Sequence, residues 1–129
     1  MRSNPIKLLS LLVVAFIFVS CSHRLSGKWN VNYETTSPGA QTVSLTNIGT
    51  MNFNSNGTGE KQLNYSVMGI QKQDNSPFTW KWEDGKYVEI KSDNSEFAKT
   101  WIVIENKRNL QRWKSTDGGS NVQIIELRK

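Results

Sequence analysis

Apolar and polar residues alternate with a period of two along most of this 129-residue chain. That spacing suits half-buried strands and does not sit still as an amphipathic helix. Trp29, Val31 and Tyr33 alternate with Lys28, Asn30, Asn32 and Glu34. Met51 and Phe53 keep the pattern, as do Leu63, Tyr65 and Val67. Phe78, Trp80 and Trp82 alternate with Thr79, Lys81 and Glu83, and Val88 and Ile90 with Tyr87, Glu89 and Lys91. Thr100 to Ile104 is apolar on both faces, so its inward side stays open. Asn54-Ser55-Asn56-Gly57, Asp84-Gly85 and Asp117-Gly118-Gly119 supply the positive φ that turns between antiparallel strands need. Gly49 interrupts a run from Gln41 to Phe53 and reads as a bulge or bend in one strand.

Eight strands result, near 28–34, 41–54, 58–67, 78–83, 86–92, 99–105, 109–115 and 121–128. Short strands with regular turns and no helical segment predict an all-β fold, an eight-stranded antiparallel up-and-down barrel. Up-and-down order would place the connections 35–40, 68–77, 93–98 and 116–120 at one end, all long. The tight turns 55–57, 84–85 and 106–108 would lie at the other. The expected shape is a cup with its mouth at the long loops.

The first twenty residues carry an address. Arg2 and Lys7 precede an apolar run from Leu8 to Val19, interrupted only by Ser10. A membrane-spanning helix needs about 20 apolar residues, whereas a signal peptide uses about 7–15. The boundary Phe18-Val19-Ser20-Cys21 resembles the lipobox of bacterial lipoproteins. The resemblance implies cleavage before Cys21, acyl chains such as palmitate on that residue, and a cell-envelope location. Ser22 then points to the outer membrane. Simple secretion with cleavage after Ser22 is the alternative. Expected organisation is a signal peptide at 1–20, a lipidated Cys and tether at 21–27, and the barrel at 28–129. Loss of Arg2 and Lys7 would lower the formal charge from +5 to +3.

Leu25-Ser26-Gly27-Lys28-Trp29 opens the first strand and resembles the Gly-x-Trp signature of lipocalin and calycin barrels. Gly27 and Trp29 are the residues that match. The resemblance implies that Trp29 plugs the closed end beneath a basic residue of the last strand, for which Arg128 is the candidate and Arg112 the rival. It also implies a ligand-binding barrel without a cofactor. The disulfides and terminal helix of lipocalins have no counterpart here.

One Cys and one His exclude multi-thiolate and two-histidine metal sites, and no metal is expected. His23 would lie on the tether, without the positioned pocket a general base requires. Gly57-Thr58-Gly59-Glu60-Lys61 lacks the spacing of a phosphate loop. Phe78, Trp80 and Trp82 interleaved with Lys81 fit base stacking, but alternation places Lys81 on the other face. A buried aromatic face is the better account, and no nucleic-acid partner is expected. Tyr33, Phe53, Tyr65, Phe78, Trp80 and Trp82 are the candidate ligand contacts, provided the interior has room for a small apolar or aromatic molecule. An eight-stranded barrel can either hold one small ligand or be filled by its own side chains. In the second case the expected role is contact with an envelope protein through the long loops, again without catalysis.

Overall fold

The computed structural model describes residues 23–39, 41–116 and 121–129. The proposed signal peptide, Cys21 and the Asp117-Gly118-Gly119 turn lie outside them. The strands are β1 (Gly27–Thr36), β2 (Thr42–Phe53), β3 (Thr58–Val67), β4 (Ile70–Asp74), β5 (Pro77–Glu83), β6 (Tyr87–Lys91), β7 (Thr100–Lys107), β8 (Leu110–Ser115) and β9 (Val122–Arg128). Every pairing is antiparallel, and β9 returns to pair with β1. β4 and β5 both lie along the same flank of β3, and the pairs Leu63–Asp74 and Glu60–Pro77 belong to one register. They are two halves of a single strand interrupted at Asn75 and Ser76. With that strand counted once, the sheet is a closed eight-stranded up-and-down barrel, as the alternation predicts.

Segment 68–77, expected as a long mouth loop, is therefore mostly strand. Only Met68 and Gly69 turn between β3 and β4, both with positive φ. The sequence Ile70-Gln71-Lys72-Gln73-Asp74 hides this strand because it lies half-exposed and carries no apolar alternation. The cup thus has fewer long loops at its mouth than the turn signals imply.

Gly49 does mark an irregularity. Val31 pairs with Gly49 but Tyr33 with Leu45, so extra residues bulge from β2 between them. The Asn47 amide donates to Asn32 Oδ1 at 2.8 Å inside that bulge. Gly49 has φ +144°, and a Cβ there would fall 1.8 Å from the Gln62 carbonyl oxygen. No other residue fits where β2 crosses so close to β3.

The core is one cluster running the length of the barrel. Trp29, Val31, Tyr33, Met51, Phe53, Leu63, Tyr65, Phe78, Val88 and Ile90 point inward, in agreement with the sequence pattern. β7 resolves its open face by turning Trp101 and Val103 inward and leaving Ile102 and Ile104 exposed.

Candidate functional site

Two plugs close the barrel. At the base, Leu25 is fully buried and its carbonyl accepts the Trp29 indole N–H at 2.8 Å. At the mouth, Phe97 on the β6–β7 loop is fully buried and its carbonyl accepts the Trp101 indole N–H at 3.0 Å. In both, a Trp that opens a strand is capped by the apolar residue four positions before it. Phe97 carries no sequence signal beyond being one aromatic residue in a polar loop.

The candidate contact residues fall into two groups on either side of mid-barrel. Tyr33 and Tyr65 meet Phe97 edge-on, with centroids 5.2 and 5.9 Å away. Phe53 meets Phe78, Trp80 and Trp113 at 5.1, 5.7 and 6.0 Å. Rings at these spacings are packed against one another. Trp82 joins neither group; it sits at the base with His23 against it, centroids 4.8 Å apart.

His23 also meets Trp80 at 5.3 Å, and its Nδ1 accepts the Leu25 amide at 2.9 Å. Arg24 donates to the Asn106 carbonyl at 3.1 Å, and Ser26 pairs with Ser55 at 3.1 Å. Residues 23–26, expected as loose tether, are thus bonded across the base to several turns. Burial first, and the neighbouring Arg24 second, hold the His23 imidazole below its ordinary pKa.

The cation over Trp29 is Lys129, with Nζ 4.7 Å from the ring centroid and a 3.0 Å hydrogen bond to the Ser26 carbonyl. Arg128, the expected residue, lies outside the barrel and pairs with Glu126 at 2.6 Å. Arg112 also faces outward, toward Glu105 and Glu126. The reason is strand parity: Ile125 and Leu127 point inward, so position 129 does and position 128 does not. Gly27, the other signature residue, has φ +118°, and a Cβ there would press on Lys129 Nζ at 3.3 Å.

The mouth holds a shallow pocket of about 230 Å³, lined by Tyr33, Val43, Val67, Lys72, Glu96 and Gln123 among others. Gln123 Nε2 donates to the Tyr33 hydroxyl at 2.8 Å, giving the floor a polar pair. Lys72 and Glu96, 3.1 Å apart, form a wall shared with a second depression of about 300 Å³. The Tyr65 hydroxyl donates to Glu96 at 2.9 Å, and burial together with that bond pushes its pKa up. The lip is apolar: Met68 is 84% exposed, Ile70 62% and Val122 40%.

Beneath this lip lies a group that sequence reading missed. Lys61 faces the interior, its side chain fully buried, and its Nζ lies 3.2 Å from Asp74 Oδ1. It donates to Ser76 Oγ at 2.9 Å and Ser92 Oγ at 2.7 Å, while Ser95 Oγ donates to the other Asp74 oxygen at 2.6 Å. Burial would raise the Asp74 pKa, but hydrogen bonds from Ser95, Ser76 and Lys61 outweigh it and hold the carboxyl below its ordinary range. Parity was the available signal, since Gly59, Leu63 and Tyr65 place position 61 inside. The cluster's evident work is to fasten the β6–β7 loop to the break between β4 and β5. Among the described residues, no three His, Cys, Asp or Glu side chains are grouped to hold a metal.

No protein-family model matches the chain, and no curated protein matches it. Among solved structures it is similar to a redesigned beta barrel, at 15% identity and a TM-score of 0.49, covering 82% of this chain and 91% of that one.

Proposed function

We propose that this is an exported bacterial lipoprotein, acylated on Cys21 and held at the outer membrane. Its lipocalin-like barrel is a filled, non-catalytic support that presents the mouth to a protein of the envelope. The observation that carries this reading is the contrast within the mouth. Phe97 closes the interior, yet Met68 and Ile70, where β3 turns into β4, stand exposed at the rim of the mouth pocket. Exposed apolar side chains gathered at one rim are what a contact surface offers, and Met adapts well to such a surface.

A second reading keeps the small apolar or aromatic ligand and moves it from the interior to the mouth. The 230 Å³ pocket, with Val43 and Val67 above the Tyr33–Gln123 pair, favours it. That volume is below the ~300–1,000 Å³ of common ligand sites, which is why the protein partner ranks first.

Photoreactive residues in place of Met68 or Ile70 separate the two in intact cells. A discrete protein adduct from these positions, absent from Asn56 at the base, is the expected result. Met68→Ser with Ile70→Ser should remove the partner while leaving stability within about 0.5 kcal/mol, as exposed substitutions do. No adduct, together with saturable Trp quenching by an apolar small molecule, would reverse the order. Intact mass tests the anchor separately: an unmodified mature chain starting at His23 would show simple secretion.

A further inference from the structure

The base differs in charge from the rest of the barrel. Arg24, Lys28, Lys86, Lys107, Arg108 and Lys129 are all exposed there. Four carboxylates, Glu60, Glu83, Asp84 and Glu105, oppose them at that end, where Arg128 is paired with Glu126. Glu83 lies 3.7 Å from Lys81, and Glu105 lies 3.6 Å from Lys107 and 3.2 Å from Arg112. Among the described residues, Lys28, Lys86 and Arg108 make no ion pair. At the mouth the two signs are closer to balance: Lys72 is paired with Glu96, Lys61 with Asp74 and Lys91 with Glu89.

The N-terminal segment ends on this basic face. Because His23 is packed against Trp80 and Trp82, Cys21 is only two peptide steps from the folded barrel in sequence, a reach of at most about 7 Å. The polar layer on each side of a bilayer is about 5–7 Å thick. An acyl chain on Cys21 therefore leaves the base no room to stand clear of the headgroups. Lys and Arg within a Debye length of about 10 Å are attracted to an anionic surface, and half-buried indoles such as Trp80 and Trp82 suit the headgroup level.

We infer that the base of the barrel is a second membrane contact, a face that binds anionic phospholipid headgroups and holds the barrel upright with its mouth toward the aqueous compartment. This inference rests on the acylation of Cys21 proposed above.

The test uses the mature acylated protein in vesicles of phosphatidylcholine, with or without about one third phosphatidylglycerol. Spin labels at Asn109 on the base and Gln71 at the mouth report contact with a nickel-chelating headgroup. Each basic residue at an anionic surface is worth about a fivefold change in an equilibrium. In anionic vesicles the label at 109 should contact nickel at least fivefold more than the label at 71. The excess should fall severalfold in neutral vesicles, in high salt, and in the double variant K86E/R108E, whose melting temperature should be unchanged. Equal contact at both positions, or indifference to lipid charge and to K86E/R108E, would overturn the inference while an acylated intact mass left the anchor standing. An unacylated mass would overturn both.

Discussion

The two ends of this barrel are closed by the same local device but held in place by different forces. At each, an indole N–H bonds to the carbonyl of a buried apolar residue four positions earlier, Leu25 for Trp29 and Phe97 for Trp101. A lysine lies over each indole, Lys129 at 4.7 Å and Lys99 at 5.5 Å. The base plug is then fixed by hydrogen bonds among exposed residues and by ring contacts of His23. The mouth plug is fixed by a buried ion pair and its serines. An i, i−4 cap thus closes a barrel at either end, and the neighbours decide how the closure responds to its surroundings.

The largest effects should come from the indoles. Trp29→Ala and Trp101→Ala should each cost about 3–5 kcal/mol, as full truncations of buried rings do. Against a typical total of about 5–15 kcal/mol, either takes a large share of the stability. Denaturant titration decides; a Trp101→Ala cost well below that of Trp29→Ala would break the equivalence of the ends. The plugs come next. Leu25→Ala should cost about 2–4 kcal/mol and Phe97→Ala about 3–4. Only the latter should admit an apolar dye, because the space it leaves adjoins the mouth pocket.

Acid should separate the ends further. The Asp74 pKa is held down in the folded state, so its stabilisation is present above the unfolded carboxylate value of about 3.9 and is lost as pH falls through the lower folded value. Asp74→Asn should flatten that acid dependence, read from the denaturation midpoint against pH. Lys61→Met should cost about 2–3 kcal/mol, at or below the range for breaking a buried pair, since Asp74 retains its serines and some solvent.

The smallest effect belongs to the base. The His23 pKa is also lowered, so its contribution is present above about 6.5 and is lost as pH falls below that. Trp fluorescence should therefore change as pH falls below about 6.5, and His23→Phe should abolish the change. A change that survives in the variant would place the titrating group elsewhere.

Most of the barrel was legible because strand alternation is a local property with long-range consequences. Inward Trp29, Val31, Tyr33, Phe78, Val88 and Ile90 follow from parity alone, as does the irregularity at Gly49. β4 was hidden because its half-exposed residues need no apolar face. Phe97 was hidden because a plug carried by a loop has no period to reveal it. Lys61 and Lys129 are a different lesson: parity turns Lys61 inside and lays the exposed Lys129 over the Trp29 ring. A lysine stem can be buried where its ammonium finds acceptors or a ring face. The six candidate ligand contacts were correctly read as large side chains of the barrel, but whether rings fill a space or line it depends on separations that sequence does not encode.

Closure of the barrel by β1 and β9 has a consequence for time. The pairing that completes the sheet joins residues as far apart as Asn32 and Glu126, whose side chains also bond at 3.0 Å. A pairing of that sequence separation is slow to form, because its loop closure comes before its contacts reward it. For a chain exported from its N-terminus, the first strand must wait with its apolar face uncovered until the last has crossed. Export as proposed above would then call for a chain that stays unfolded during passage and folds in one late step. Refolding of a chain truncated after Lys114 should accordingly yield no native barrel.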